Sequence, residues 1–236
     1  MNAADCAHAR RVHRPEDAMP QGGESSGCEP RPVSPVRTSR VATVMAVVSW
    51  GALLLGGMAV LDAYALEAGP RGMPQWTRDP SGASADGRWR LVMVLHPKCP
   101  CSRASVAELA RLVPRLLPGT EAVVLAYCPG AEHERWADTP LLRAAAAIPG
   151  VHVRIDRDGR EAELVGGRTS GHVALFHPDG RLMFSGGITP ARGHEGDSLG
   201  QRAILACMEG RGASPVEAPV FGCAISHCRD VRGTRP

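Results

Sequence analysis

Lysine is almost absent from this chain: Lys98 is the single lysine among 27 basic residues, and all the others are arginine. Excess charge is absent too. A net charge of +3, carried by scattered arginines, excludes the concentrated basic footprint that a nucleic-acid partner requires. With 44% hydrophobic and 22% charged residues, 236 residues can bury one ordinary core with appendages, which excludes a wholly disordered chain. Charge is missing altogether from residues 41–61, VATVMAVVSWGALLLGGMAVL, a run of 21 positions.

That run has the length needed to cross a hydrocarbon core as a helix, and its apolarity on all sides suits lipid better than one face of a buried core. Arg31, Arg37 and Arg40 precede it, whereas only Arg71 follows at a similar distance. The bias places the N-terminus in the cytoplasm and everything after residue 62 outside, in a bacterial periplasm. Ala63-Tyr64-Ala65 resembles a small-x-small cleavage site, so a signal peptide competes with an uncleaved signal anchor. The apolar run exceeds the usual signal-peptide core and some forty residues precede it, which favours the anchor. Residues 1–40, rich in Pro, Ser, Gly and Arg without apolar periodicity, read as a disordered cytoplasmic leader.

Topology sorts the cysteines. Cys6 and Cys28 fall on the reducing side and lack metal-ligand spacing. Cys99, Cys101, Cys128, Cys207, Cys223 and Cys228 fall where disulfides persist. Beyond a Gly/Pro/Ser linker at 62–87, strand and helix signals alternate. RWRLVMVLH reads as a buried strand, and SVAELARLVPRLL as a helix with Leu109, Val113 and Leu116 on one face. EAVVLAYC reads as a second strand, ERWADTPLLRAAAA as a helix and VHVRID as a third strand. HVALF, the turn HPDG and RLMFSGG make a hairpin. GDSLGQRAILACMEG closes the pattern as a helix capped by Asp197 or Ser198. The order implies an α/β domain over 88–210 with a central mixed sheet, followed by a cysteine-containing tail at 211–236.

Cys99-Pro100-Cys101 lies at the first strand-to-helix junction. Side chains at i and i+2 face different sides of a helix, so the two sulfurs meet only if Cys99 lies outside it. Pro100 as the first helical residue achieves this and makes Cys99 the cap. A thiolate there gains from the free amides and the helix dipole, with Lys98 as a positive neighbour, which predicts a depressed cysteine pKa. A bridge across one residue closes a small ring, and strained bridges exchange more readily than structural ones. Cys128 and Cys207 read as small packed apolar groups. The tail VFGCAISHC has the spacing of a loop bridge between Cys223 and Cys228, or of a second thiol pair exchanging with the first.

This order of elements, with a cysteine pair at the first strand-to-helix junction, resembles the thioredoxin fold. The segment VRIDRDGREAELVGGRTSGHVALFHPDGRLMFSGG is similar to the later half of membrane-anchored periplasmic thioredoxins of the TlpA/ResA type, with the RedB-type thioredoxin-related proteins as the nearest group. The resemblance implies a thioredoxin-like fold preceded by one transmembrane helix, anchored in the inner membrane by a single pass. It implies a thiol-disulfide oxidoreductase acting on protein thiols and disulfides without a cofactor, through Cys99 and Cys101. It also puts Gly171 where such proteins carry a cis-proline facing the sulfurs, with His172 beside it; these two join Lys98 and Pro100, read from the motif itself, as residues that modulate the pair. Copper(I) is the alternative cargo, held by Cys99, Cys101 and His172, with His96, Cys223, His227 and Cys228 as further soft donors. No methionine stands close to the motif. A non-catalytic interaction domain is the third reading.

Overall fold

The computed structural model describes residues 39–75, 87–130, 136, 138–211 and 216–225. The expectations for residues 1–38, including Cys6 and Cys28, for the linker residues 76–86, and for His227 and Cys228 lie outside the described residues.

The apolar run forms helix α1, Arg40–Leu66, continuing past the expected end at residue 61. It is long and apolar enough to cross a membrane, and none of its residues is buried within the protein.

The domain is built on a six-stranded mixed sheet. Its strands are β1 (Arg90–Leu95), β2 (Glu121–Cys128), β3 (Val151–Arg157), β4 (His172–Phe176), β5 (Leu182–Gly187) and the short β6 (Val216–Glu217), in the order β3-β2-β1-β4-β5-β6. β1 runs parallel to β2, with Leu91 opposite Ala122 and Leu95 opposite Ala126, and β2 runs parallel to β3. β4 is antiparallel to both β1 and β5. The helices are α2 (Ser102–Leu112), prolonged by a 3-10 turn at Val113–Arg115, then α3 (Pro140–Ala146), α4 (Arg160–Leu164) and α5 (Leu199–Met208). A parallel β1-α2-β2 unit joined to an antiparallel β4-β5 hairpin and a closing helix is the thioredoxin-like arrangement expected from the sequence.

Local chemistry accounts for these boundaries. Thr139 Oγ1 accepts from the Leu142 amide at 3.3 Å, with Pro140 as the first helical residue of α3, a position where its missing amide costs nothing. Ser198, not Asp197, caps α5, accepting from the Gln201 amide at 3.3 Å. β1 is buried on both faces, as an unbroken apolar run at the middle of a covered sheet must be. Leu91, Met93 and Leu95 face Val106, Leu109 and Leu112 of α2 and Ile204 of α5, while Val92 and Val94 face Ala162, Val165 and Ile225. Cys128 and Cys207 are buried, their sulfurs directed at the carbonyls of Pro129 and Met183.

Two segments differ from the sequence reading. Residues 67–75 are not a detached linker: the amides of Gly69, Gly72 and Gln75 donate to the carbonyls of Val220, Gly166 and Leu164 at 2.8, 3.0 and 2.9 Å. The tail is likewise part of the domain over 216–225, with Ala218, Val220, Phe221 and Ile225 buried. Neither segment carries a periodic apolar pattern, because each is held by backbone hydrogen bonds and isolated side chains rather than by a continuous face.

Candidate functional site

The chain leaves β1 through a tight turn, in which the Cys99 amide donates to the His96 carbonyl at 3.0 Å. Three successive i to i+3 bonds follow, from Ser102, Arg103 and Ala104 to the carbonyls of Cys99, Pro100 and Cys101. The helix therefore begins two residues later than the sequence suggested. Cys101 is the cap of α2, at φ −66 and ψ −25, and Cys99 and Pro100 lie in the turn before it. The premise that Cys99 sits outside the helix holds, while Pro100 is not its first residue.

A buried floor supports the turn. Ser170 Oγ accepts from the His96 amide at 2.7 Å and lies 2.6 Å from Ser102 Oγ. The next residue, Gly171, has φ +92 and donates its amide to the Val94 carbonyl at 2.8 Å. A side chain there would place its Cβ 2.6 Å from Ser105 Oγ, and proline, fixed near φ −65°, cannot adopt this backbone at all. Glycine is thus dictated by geometry at the position where the resemblance implies proline.

The tail then lies along this floor. The amide of Ser170 donates to the Cys223 carbonyl at 2.9 Å, and the Ile225 amide donates to the Arg168 carbonyl at 2.8 Å. Thr169 and Ala224 form an antiparallel bridge. The approach is so close that a Cβ on Gly222 would lie 2.0 Å from the Ser170 carbonyl oxygen. This pairing carries the Cys223 sulfur to 2.7 Å from that of Cys99. With Cys101 the group comprises three sulfurs, all within 4.8 Å of one another. The expected Cys223 to Cys228 pairing lies partly outside the described residues, and Cys223 faces Cys99. Every described cysteine is a free thiol.

The three thiols differ in acidity. Burial alone would push Cys99 up, but hydrogen bonds from Cys223 and from Ser102 outweigh it and hold Cys99 below its ordinary value. Burial and the Cys99 sulfur push Cys101 up, against the positive charge of Arg192. Burial, reinforced by the hydrogen bond to Cys99, pushes Cys223 up to about 12. Of the three, Cys99 is therefore the most readily deprotonated. The depressed pKa was legible in the sequence, but its source was not: it comes from Ser102 and Cys223 rather than from Lys98. The Lys98 ammonium lies over the Trp136 ring, 4.2 Å from its centroid. His96 stacks on Tyr127 and meets Trp136 edge-on, with centroids 5.7 and 5.0 Å away, and burial lowers its pKa.

His172 is buried, its Nε2 3.3 Å from Ser185 Oγ, and desolvation lowers its pKa to about 4. The described group with ligand atoms in mutual reach consists of Cys99, Cys101 and Cys223, so the sequence-based set that included His172 is replaced by one that includes Cys223. Arg192 was not singled out by sequence. Its amide donates to the Ala65 carbonyl at 2.8 Å, its side chain donates to the carbonyls of Glu67 and Gly222, and its guanidinium lies 4.8 Å from the Tyr64 ring centroid. It thus ties the residue before Cys223 to the end of α1. One arginine among many carries no such mark, whereas Ser170 beside Gly171 was a signal within reach.

No protein-family model matches the chain, and no curated protein matches it. Among solved structures, an uncharacterized conserved protein from Geobacillus kaustophilus matches 68% of this chain and 90% of its own, at 18% identity and a TM-score of 0.48. A hypothetical protein from Sinorhizobium meliloti matches 68% of this chain and 94% of its own, at 19% identity and a TM-score of 0.45. A secreted Mycobacterium tuberculosis disulfide oxidoreductase, described as homologous to E. coli DsbE, matches 55% of this chain and 86% of its own, at 15% identity and a TM-score of 0.38. The assignment of fold rests on the strand order itself: a thioredoxin-like domain, preceded in the chain by one apolar helix long enough to span a membrane.

Proposed function

We propose that this domain is a thiol-disulfide oxidoreductase acting on protein thiols and disulfides, and that its exchange begins at Cys99 of the Cys99-Pro100-Cys101 motif. The observation that carries the reading is the Cys99 sulfur itself, buried yet held below its ordinary pKa by donors from Ser102 and Cys223. A thiolate is the attacking species in disulfide exchange, and neighbours that could resolve a mixed disulfide stand beside it. Exchange between sulfurs calls for no cofactor. The arginine bias across the apolar span supports a single-pass anchor in a bacterial inner membrane with the domain on the periplasmic side, where disulfides persist.

The test is exchange with glutathione disulfide by the reduced full chain in detergent. The parent reacts with a pH midpoint below the ordinary thiol value of about 8.5, and Cys99→Ser slows the reaction about a hundredfold or more. A Cys99→Ser protein that reacts at the parent rate removes the proposal.

A second reading has its own observation: three sulfurs within 4.8 Å of one another suit a soft ion such as copper(I). Cys99, Cys101 and Cys223 would then be the ligands, and copper(I) the cargo. Titration against a chromophoric copper(I) chelator separates the readings. Copper(I) retained by the parent and lost in both Cys101→Ser and Cys223→Ser, in a protein that does not exchange with glutathione disulfide, supports delivery of the ion over exchange.

A further inference from the structure

We infer that Cys223, carried on the tail segment 221–225, is the thiol that closes the first intramolecular disulfide with Cys99; this rests on the oxidoreductase reading of the same site. Cys101 is nearer in sequence and its sulfur also lies within 4.8 Å, but the Cys223 sulfur stands 2.7 Å from that of Cys99. A covalent bridge needs the two atoms at about 2.05 Å, so closure asks for a movement of well under 1 Å.

The tail does not reach this place through one contact. The antiparallel pairing of Thr169 with Ala224 and the backbone bonds from Ser170 to Cys223 and from Ile225 to Arg168 fix its register. Main-chain bonds at Cys223 and at Ile225 aim the intervening side chains at fixed points. Ile225 is buried among Val92, Val94 and Ala162, anchoring the segment on one side of Cys223, and Arg192 holds the Gly222 carbonyl on the other. Gly222 permits the approach, because a Cβ there would meet the Ser170 carbonyl oxygen at 2.0 Å. These features place one sulfur of a distant segment against Cys99 as an extended cysteine-bearing substrate would be placed.

The Cys99 thiolate attacks one sulfur of a partner protein's disulfide; the partner's S–S bond breaks, a mixed disulfide forms, and the leaving thiolate takes the proton of the Cys223 thiol. The Cys223 thiolate then attacks the Cys99 sulfur, forming the Cys99–Cys223 bond and releasing the partner's second thiolate, which is protonated by water. Two electrons pass from the Cys99 and Cys223 sulfurs to the partner, and the reverse reaction uses the same atoms. Cys101 remains a thiol throughout.

The full chain in detergent is reduced, freed of reductant, exposed to glutathione disulfide, quenched with N-ethylmaleimide and digested without reduction for mass spectrometry. The expected product is a Cys99–Cys223 linked peptide with alkylated Cys101. Cys101→Ser still forms that bridge as its main product, whereas Cys223→Ser stops with glutathione on Cys99. Gly222→Ala keeps every sulfur but displaces the segment, slowing closure about tenfold or more. A dominant Cys99–Cys101 or Cys223–Cys228 link, with Cys99 still accepting glutathione, overturns this inference and leaves the oxidoreductase reading standing. Cys99 that takes neither glutathione nor a bridge in any of these proteins overturns both.

Discussion

Burial makes a thiol less acidic, and Cys99 departs from that rule because Ser102 and Cys223 donate to it. The near half of this arrangement was legible: Cys99, Pro100 and Cys101 are adjacent, and a proline between two cysteines at a strand end restricts where each sulfur points. The far half was not, because Cys99 and Cys223 stand 124 positions apart and no local pattern encodes which thiol of the tail comes home. His172 shows the opposite limit. Its type suggested a titrating neighbour of the sulfurs, yet burial lowers its pKa to about 4, so it is neutral at physiological pH. Above the ordinary value of 6.5 the imidazole is neutral folded or unfolded; as the pH falls toward 4 the unfolded chain binds the proton first, and stability is lost. The shift corresponds to roughly 3 kcal/mol at pH 4. Urea denaturation of the parent and of His172→Gln at pH 7 and pH 4 measures it. The variant is expected to lose less stability between the two pH values, and an equal loss in both assigns the pH dependence to other groups.

Elements with a complete apolar face announced themselves in sequence. β1, β2 and the β4-β5 hairpin were legible as short, unbroken apolar runs bounded by turn residues, and α5 by burial that repeats at helical spacing. The start of α2 was two residues off because the junction is a 3-10-like turn, in which i to i+3 bonds precede the first full helical turn. The tail segment escaped notice for a different reason. Residues 221–225 bury isolated side chains and pair with 168–170 through a single bridge, and a segment of that length with glycine in it has no periodicity to read. Ile225 is its apolar anchor. Ile225→Ala is expected to cost about 2–4 kcal/mol of stability, from lost transfer and the cavity left behind. It should also speed labelling of Cys99, which is 3% exposed while the segment is seated. Urea midpoints and N-ethylmaleimide rates at Cys99 check both effects. A large loss of stability with an unchanged labelling rate would mean that the segment does not shield the sulfur.

At the scale of the whole chain, one mixed sheet positions a three-sulfur group, and an apolar helix of membrane-spanning length precedes it. The thioredoxin-like order was legible because short buried strands, crossover helices and a terminal hairpin leave few ways to complete a sheet. The extent of the domain was not, since 67–75 and 216–225 join it through backbone bonds that composition does not reveal. The arginine bias makes the orientation testable: a reporter enzyme that works only in the periplasm, fused after residue 236, is expected to be active, and activity of a cytoplasm-only reporter there reverses the assignment. The central claim, that the sulfurs around Cys99 form a redox couple, is tested most directly by equilibrating the full chain in detergent with graded ratios of reduced to oxidised glutathione and counting free thiols. A single cooperative two-electron transition is expected, tenfold in equilibrium constant for about 30 mV, that disappears in Cys99→Ser. A chain whose thiols near Cys99 stay reduced across the whole series, or titrate one at a time without linkage, would contradict it.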